Sequence, residues 1–268
     1  MKALKKTSVS AVMVLFLGVG LCYAQNSAKQ ISDRGLEYAA EGRFTEAKEE
    51  FEKALKMDAF YEPARGSLKV IEDVTGQKIK TETAVYLFKG AVYHNRGQLS
   101  KAIAECNRAI EINPEYAPVY NNRGFAYIGK GEYDQAISDF NKAIEMDPEF
   151  AMAYNNRGYA YGVKGQYEQA ISDSNKAIEL NPKLVMAYNN RGLAYLNKGQ
   201  HEQAISDCSK ALEVNPSNAM AYNIRGVAYF YKGEFDKSWD DVYKAENLGY
   251  PVRPEFLKAL REASGRER

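Results

Sequence analysis

The chain has 268 residues, 45% of them apolar and 26% charged, with a formal net charge of +1. That balance excludes a collagen-like or highly charged disordered chain, and it offers no excess of cations to attract a polyanion. Twenty Tyr and twenty Gly stand against one Trp and two His, a bias that points to a motif copied along the chain.

The first residues read as a secretory signal peptide. Lys2, Lys5 and Lys6 form a positive n-region, and Val9 to Leu21 is an apolar run. Cys22-Tyr23-Ala24 then supplies small residues at the −3 and −1 positions of a cleavage site. The run is too short to span a bilayer comfortably, which takes ~20 apolar residues. Residues 1–24 are therefore expected to be removed and the mature chain to be periplasmic or secreted. The alternatives are an uncleaved anchor through residues 9–24 and a lipidated Cys22, although Leu21 is larger than the residue that normally precedes a lipidated Cys. Cleavage takes away three Lys and no acid, so the mature chain is slightly acidic and nucleic acid is not an expected partner.

Beyond the signal the sequence repeats. Arg123-Gly124 recurs as Arg157-Gly158, Arg191-Gly192 and Arg225-Gly226, 34 residues apart each time. Blocks align from Ala117, Ala151, Val185 and Ala219, and weaker ones from Thr83 and Ala28. At position 4 of the block stand Tyr86, Tyr120, Tyr154, Tyr188 and Tyr222, and at position 11 Tyr38, Tyr93, Tyr127, Tyr161, Tyr195 and Tyr229. This spacing puts both rings near one face of a first helix, A. Gly35, Gly90, Gly124, Gly158, Gly192 and Gly226 at position 8 imply close approach of a second helix, B. That helix carries Ala47, Ala102, Ala136, Ala170 and Ala204 at position 20, small against small. Gly42, Gly97, Gly131, Gly165, Gly199 and Gly233 at position 15 suit the left-handed residue that ends a helix. Ala54, Ala109, Ala143, Ala177, Ala211 and Ala245 follow at position 27. Pro114, Pro148, Pro182 and Pro216, each after Asn or Asp, end helix B and can open the next helix.

These positions closely resemble the tetratricopeptide-repeat (TPR) family. Its pattern has an aromatic at 4, Gly at 8, Tyr at 11, Ala at 20, an aromatic at 24, Ala at 27 and Pro at 32. The resemblance implies an all-α solenoid of helix–turn–helix units in a right-handed superhelix, with helices A lining the concave face. It covers residues 28–61 as one unit and 83–252 as five tandem units. Residues 62–82 are too short for a repeat and read as a linker helix or half-unit, from Glu62 to Val74 and ended by Gly76. Pro254 to Ala263 reads as a capping helix, within a terminal segment 253–268 whose end is frayed. The family resemblance also implies a protein or peptide partner.

One departure from the family pattern is systematic. Position 7, usually apolar, is Arg34, Lys89, Arg123, Arg157, Arg191 and Arg225. Position 23 is Glu50, Glu105, Asp139, Asp173, Asp207 and Asp241. Opposite charges at the same two offsets in every unit predict ion pairs between helices A and B, within a unit or to its neighbour. The competing reading is a row of ligand-binding arginines.

The concave face should be formed by positions 2, 5, 9, 12 and 13. The candidate peptide-binding residues are Asn121, Phe125, Ile128, Met152, Asn155, Tyr159, Met186, Asn189, Leu193, Leu196, Asn223, Val227 and Phe230, with Pro118, Val163 and Met220 beside them. This is an apolar groove with an Asn ladder, suited to an extended or helical segment, since Asn offers donors and an acceptor to a backbone and Met adapts to varied side chains. Some TPR domains hold a C-terminal carboxylate with Lys at position 5. Here that position is Asn in four units and Leu87 in another, which argues against such a clamp.

No catalytic constellation is visible. Cys106 and Cys208 occupy position 24 three repeats apart and are expected as buried free thiols. His94 and His201 have no acidic or Cys cluster at metal spacing, and His201 replaces the aromatic at position 17. The expectation is therefore a non-catalytic envelope adaptor with no cofactor, no metal and no small-molecule substrate, touching membrane only if the N-terminus is uncleaved or lipidated. The alternative is a structural subunit of an envelope assembly or secretion complex held by its convex face or ends. Only 16 residues follow position 252, too few for a catalytic domain.

Overall fold

The computed structural model describes residues 23–266, and of these the side chains from Ala28 onward. The expected n-region and apolar run lie outside the described residues. Among the described residues the chain is all α, an α-solenoid of helical hairpins, and no helix is long and apolar enough to cross a membrane. These residues form two compact units, one of Tyr23–Ala187 and one beginning at Tyr188.

In the first unit α1 (Tyr23–Ala40) pairs with α2 (Phe44–Met57), and α3 (Glu62–Thr75) follows alone. Then come the hairpins α4 (Thr81–Asn95) with α5 (Leu99–Ile112), α6 (Ala117–Lys130) with α7 (Tyr133–Met146), and α8 (Ala151–Val163) with α9 (Tyr167–Leu180). Each B helix packs on the next A helix, α5 on α6 and α7 on α8, and A helices also touch, α4 on α6 and α6 on α8. α3 interrupts this order. It packs on α2, and α4 lies along α1, where Asn95 and Arg96 bond to Asp33 and Glu37 at 2.7 and 2.8 Å. Phe88 of α4 stacks on Phe51 of α2 with ring centroids 6.3 Å apart. α3 is itself tied forward, since the Tyr116 hydroxyl donates to the buried Asp73 carboxylate at 2.9 Å.

Helix α10 (Val185–Asn197) runs across the boundary. In the second unit α11 (His201–Val214) packs on α12 (Ala219–Tyr231), α12 on α13 (Phe235–Asn247), and α13 on α14 (Pro254–Ser264). Phe256 and Leu260 of α14 close over Trp239, Val242 and Ala245. That apolar face would otherwise be open at the end of the array, and covering it is the task of a terminal cap.

The helix A to helix B turns are uniform because a left-handed residue is needed there. Gly131 has φ 77°, and Gly42, Gly97, Gly165, Gly199 and Gly233 lie between 71° and 81°. A Cβ at such an angle is strained, so glycine recurs. At the other turn the prolines do not open the next helix. Pro114, Pro148, Pro182 and Pro216 stand in the connecting turn, three residues before helix A begins. The preceding Asn or Asp caps that turn: Asn113, Asp147, Asn181 and Asn215 accept from the amide two residues on at 3.0–3.3 Å.

The close approach at position 8 is also more specific than small against small. A Cβ on Gly35 or Gly124 would fall 2.7 Å from the ring of Phe51 or Phe140, the residue at position 24. On Gly90 and Gly192 it would meet the Cys106 and Cys208 Sγ at 3.0 and 3.1 Å. The glycine makes room chiefly for the position-24 side chain. The alanine at position 20 contributes its carbonyl: the oxygens of Ala102, Ala170 and Ala204 would lie at 3.2–3.5 Å.

Candidate functional site

Helix A places positions 2, 5, 9 and 13 on one face, spaced by three or four residues. Among the described residues the exposed large apolar side chains are Met57, Phe125, Val163, Met186, Tyr231 and Tyr243. Four of the six stand on that face: Phe125 (44% exposed), Val163 (43%) and Met186 (40%) in the first unit, Tyr231 (38%) in the second. Phe125 also carries the His94 ring at 4.7 Å. Burial pushes the His94 pKa below its ordinary value, so the imidazole is neutral at neutral pH.

The remaining groove candidates separate by depth. Ile128, Met152 and Tyr159 are half-buried, Ile128 against Phe140 and Met152 against Leu184. In the second unit Leu193 is half-buried and Leu196 is buried. Val227 and Phe230 pack into the cluster closed by α14, with Phe230 edge-on to Phe256 at 5.5 Å. Position 12 thus turns inward at Leu196 and Phe230, and position 13 faces out at Val163 and Tyr231. The 3.6-residue period separates these neighbours by only about 100°, too little to resolve without the packing. Tyr231 is a residue that sequence reasoning missed, and its place at position 13 was the available signal.

The Asn row departs most from expectation. Asn121, Asn155, Asn189 and Asn223 are only 2–7% exposed, so they do not line a surface as an open ladder. In the first unit the Asn155 amide donates to Asn156 Oδ1 at 3.2 Å, and Asn156 donates to Asn121 Oδ1 at 3.0 Å. The amides link one A helix to the next. In the second unit the place of Asn156 is held by Asn190 in α10 and by Ile224 in α12, the helix after Asn189, and Asn189 Oδ1 has no hydrogen-bond partner.

The charged pairs lie between helices A and B of one unit. Arg123 Nε and Nη2 bond to both Asp139 oxygens at 2.8 and 2.6 Å, and Arg157 grips Asp173 the same way at 2.7 and 2.7 Å. Arg191–Asp207 and Arg225–Asp241 repeat this in the second unit, and Arg34–Glu50 forms a single-oxygen version. A third arm reaches back one unit: Arg123 Nη1 donates to Asn107, Arg157 to Asn141 and Arg225 to Ser209, at 2.6–3.0 Å. This polar residue at position 25 recurs in the sequence and was missed there. The sixth expected pair is absent among the described residues. Lys89 sits over the Tyr86 ring, Glu105 pairs with Arg108 instead, and Glu105 Oε2 is buried without a partner. A Lys ammonium lacks the planar fork that spans the other pairs.

Cys106 and Cys208 are free and buried. Burial pushes the Cys106 thiol up to about 12 and that of Cys208 higher still, the opposite of a reactive thiolate. His201 stacks on Tyr231 at 5.1 Å, as the aromatic it replaces would. Among the described residues no group of His, Cys, Asp and Glu could hold a metal ion.

Known proteins share this architecture. Tetratricopeptide-repeat models match residues 33–61, 117–150, 140–172 and 185–218, and a TPR-repeat model matches 90–131 and 163–199. Together they span more than half of the chain. No curated protein matches it. Among solved structures, MamA is 28% identical over 63% of this chain and 96% of its own, with TM-score 0.52. YrrB, described as a TPR protein with an unusual peptide-binding site, is 25% identical over 74% and 97%, with TM-score 0.51. A tetratricopeptide repeat protein from Parabacteroides merdae covers 90% of this chain and 100% of its own at 21% identity, with TM-score 0.55, a likeness of fold alone. With the glycine-ended hairpins, the recurring aromatic and alanine positions and these matches in place, the chain belongs to the tetratricopeptide-repeat family.

Proposed function

We propose that this protein is an exported, non-catalytic scaffold that takes an extended or helical segment of a partner protein on the exposed face of its A helices. TPR folds serve as protein–protein interaction scaffolds, and that much follows from the family. The finer reading rests on one observation: among the described residues, three of the six exposed large apolar side chains, Phe125, Val163 and Met186, stand at positions 9, 13 and 2 of helices A in the first unit. Exposed apolar residues gathered on one face mark partner sites more often than scattered ones do. Likeness to YrrB supports a peptide as ligand. Export rests on the positive, apolar and small-residue order of residues 1–24.

The test is in-cell cross-linking and capture with the wild-type chain and with a Phe125→Glu, Val163→Glu variant. These positions are exposed, whereas Asn155 and Asn189 are buried and a charge there would damage the fold. A partner captured by the wild type and lost by the folded variant supports the reading. Unchanged capture moves the site to the convex face or the ends, as for a subunit of a larger assembly. A mature N-terminus at Gln25 in an envelope fraction tests export, and an intact, unmodified N-terminus in the cytosol refutes it.

A further inference from the structure

We infer that the segment taken by the helix-A face of α4, α6 and α8 is uncharged and apolar, and that this face excludes acidic and basic segments alike. The inference rests on the reading above and adds the chemistry of the ligand.

The face is electroneutral throughout. Positions 2, 5, 9, 12 and 13 of these three helices hold no Asp, Glu, Lys or Arg. Their titratable groups are neutral near pH 7: burial lowers the His94 pKa and raises that of Tyr159. Of the neighbouring cations, Lys89 lies over the Tyr86 ring and the others are paired with acids. Arg123 and Arg157 are held between helices by Asp139 and Asp173. Arg96 ends on Glu37, Lys130 on Glu132 and Lys164 on Asp134. Asn121 and Asn155 are buried, and their amides are joined through Asn156, which leaves no open amide row to solvate an ion.

A charged side chain docking here would lose hydration and find no free counter-charge, and this penalty applies to a carboxylate and an ammonium alike. An apolar side chain instead removes Phe125 and Val163 from water along with itself. Specificity of this kind works by rejecting the wrong ligand as much as by attracting the right one. Salt should have little effect on it, because no exposed charge pair contributes.

The experiment probes a random-sequence dodecapeptide array with the labelled full-length chain at low and high salt, beside a Phe125→Ser, Val163→Ser variant of matched melting temperature. Peptides bound by the wild type and lost by the variant define the ligands of this face. They should carry several-fold fewer Asp, Glu, Lys and Arg than the array and bind equally at both salts. A Phe125→Lys variant should shift its bound set toward acidic peptides. Ligands of this face with as much charge as the array, or more, overturn the inference and leave the helix-A reading standing. If no bound peptide is lost in the variant, the helix-A reading falls and the inference with it.

Discussion

The Arg–Asp ladder makes a quantitative claim that mutagenesis can check. Asp173 accepts two hydrogen bonds from Arg157, both 2.7 Å, and the pair is nearly enclosed, with side chains 8% and 19% exposed. Each charge-assisted bond is worth ~1.5–3 kcal/mol net. Asp173→Ala removes both and leaves a guanidinium with Asn141 at 2.7 Å and the Tyr154 ring 5.5 Å away. Arg157 keeps some hydration, so the lower end applies and the expected loss is about 3 kcal/mol, the low edge for breaking a buried pair. For a chain of this size that is a fall in melting temperature of roughly 6–12 °C. Arg157→Met alone, and Arg157→Met together with Asp173→Ala, make up a cycle in which the double should cost clearly less than the two single changes combined, a coupling of about 2 kcal/mol. Circular-dichroism melts of the four proteins complete the cycle. Single changes within ~0.5 kcal/mol of wild type, with an additive double, would show a solvated decoration of the kind common at surfaces. The ladder also contains its own complement: Lys89→Arg should supply the missing fork to Glu105 and raise stability by about 1 kcal/mol, and an unchanged or lower melt would refute the stated reason for the gap.

The remaining predictions concern packing and ionisation. Gly124→Ala forces a Cβ to 2.7 Å from the buried Phe140 ring and should destabilise by ~1–3 kcal/mol, although alanine is the better helix former. Gly162→Ala meets nothing closer than 3.7 Å and should stabilise by ~0.5–1 kcal/mol, so equal effects at the two sites would contradict the layout. In a Cys22→Ser chain, Cys106 and Cys208 should resist a thiol reagent in the native state and both react after unfolding without reductant; rapid native labelling would contradict their burial. His94 has a folded pKa below its unfolded value of about 6.5, so the unfolded state binds its proton first and stability falls as pH drops below that value. His94→Phe should flatten that part of the stability profile, measured by urea titration across pH, and an unaltered slope would refute the assignment.

Much of this molecule was readable before any coordinates. The 34-residue period, the turn glycines and the alanines at position 27 specify a solenoid of hairpins, because each reports a local demand that one residue type meets. The charge pairing was legible for the same reason: Arg123 and Asp139, and their counterparts, recur at fixed offsets, so a distance of 16 residues in sequence becomes contact in a hairpin. The pattern also separated α3, because residues 62–82 cannot hold a hairpin. Where α3 packs, and how it lets α4 lie along α1, depends on the surfaces those helices present to each other.

Only the tertiary structure decided which side of each A helix meets water. Asn121 and Asn155 looked like groove residues by spacing, yet adjacent A helices approach closely enough to bury them and join them through Asn156. Position 12 was likewise indistinguishable from position 13 by periodicity, until packing buried Leu196 and left Val163 and Tyr231 exposed. In the last unit α14 covers Phe230, a contact between segments with no shared period. The single Lys89 shows the same division. Its charge satisfied the pattern, but only the arrangement of donors around Glu105 decides whether a pair forms, and an ammonium does not reach both oxygens as a guanidinium does. Sequence periodicity records what each unit needs within itself, and burial between units is settled by how closely the stacked helices approach.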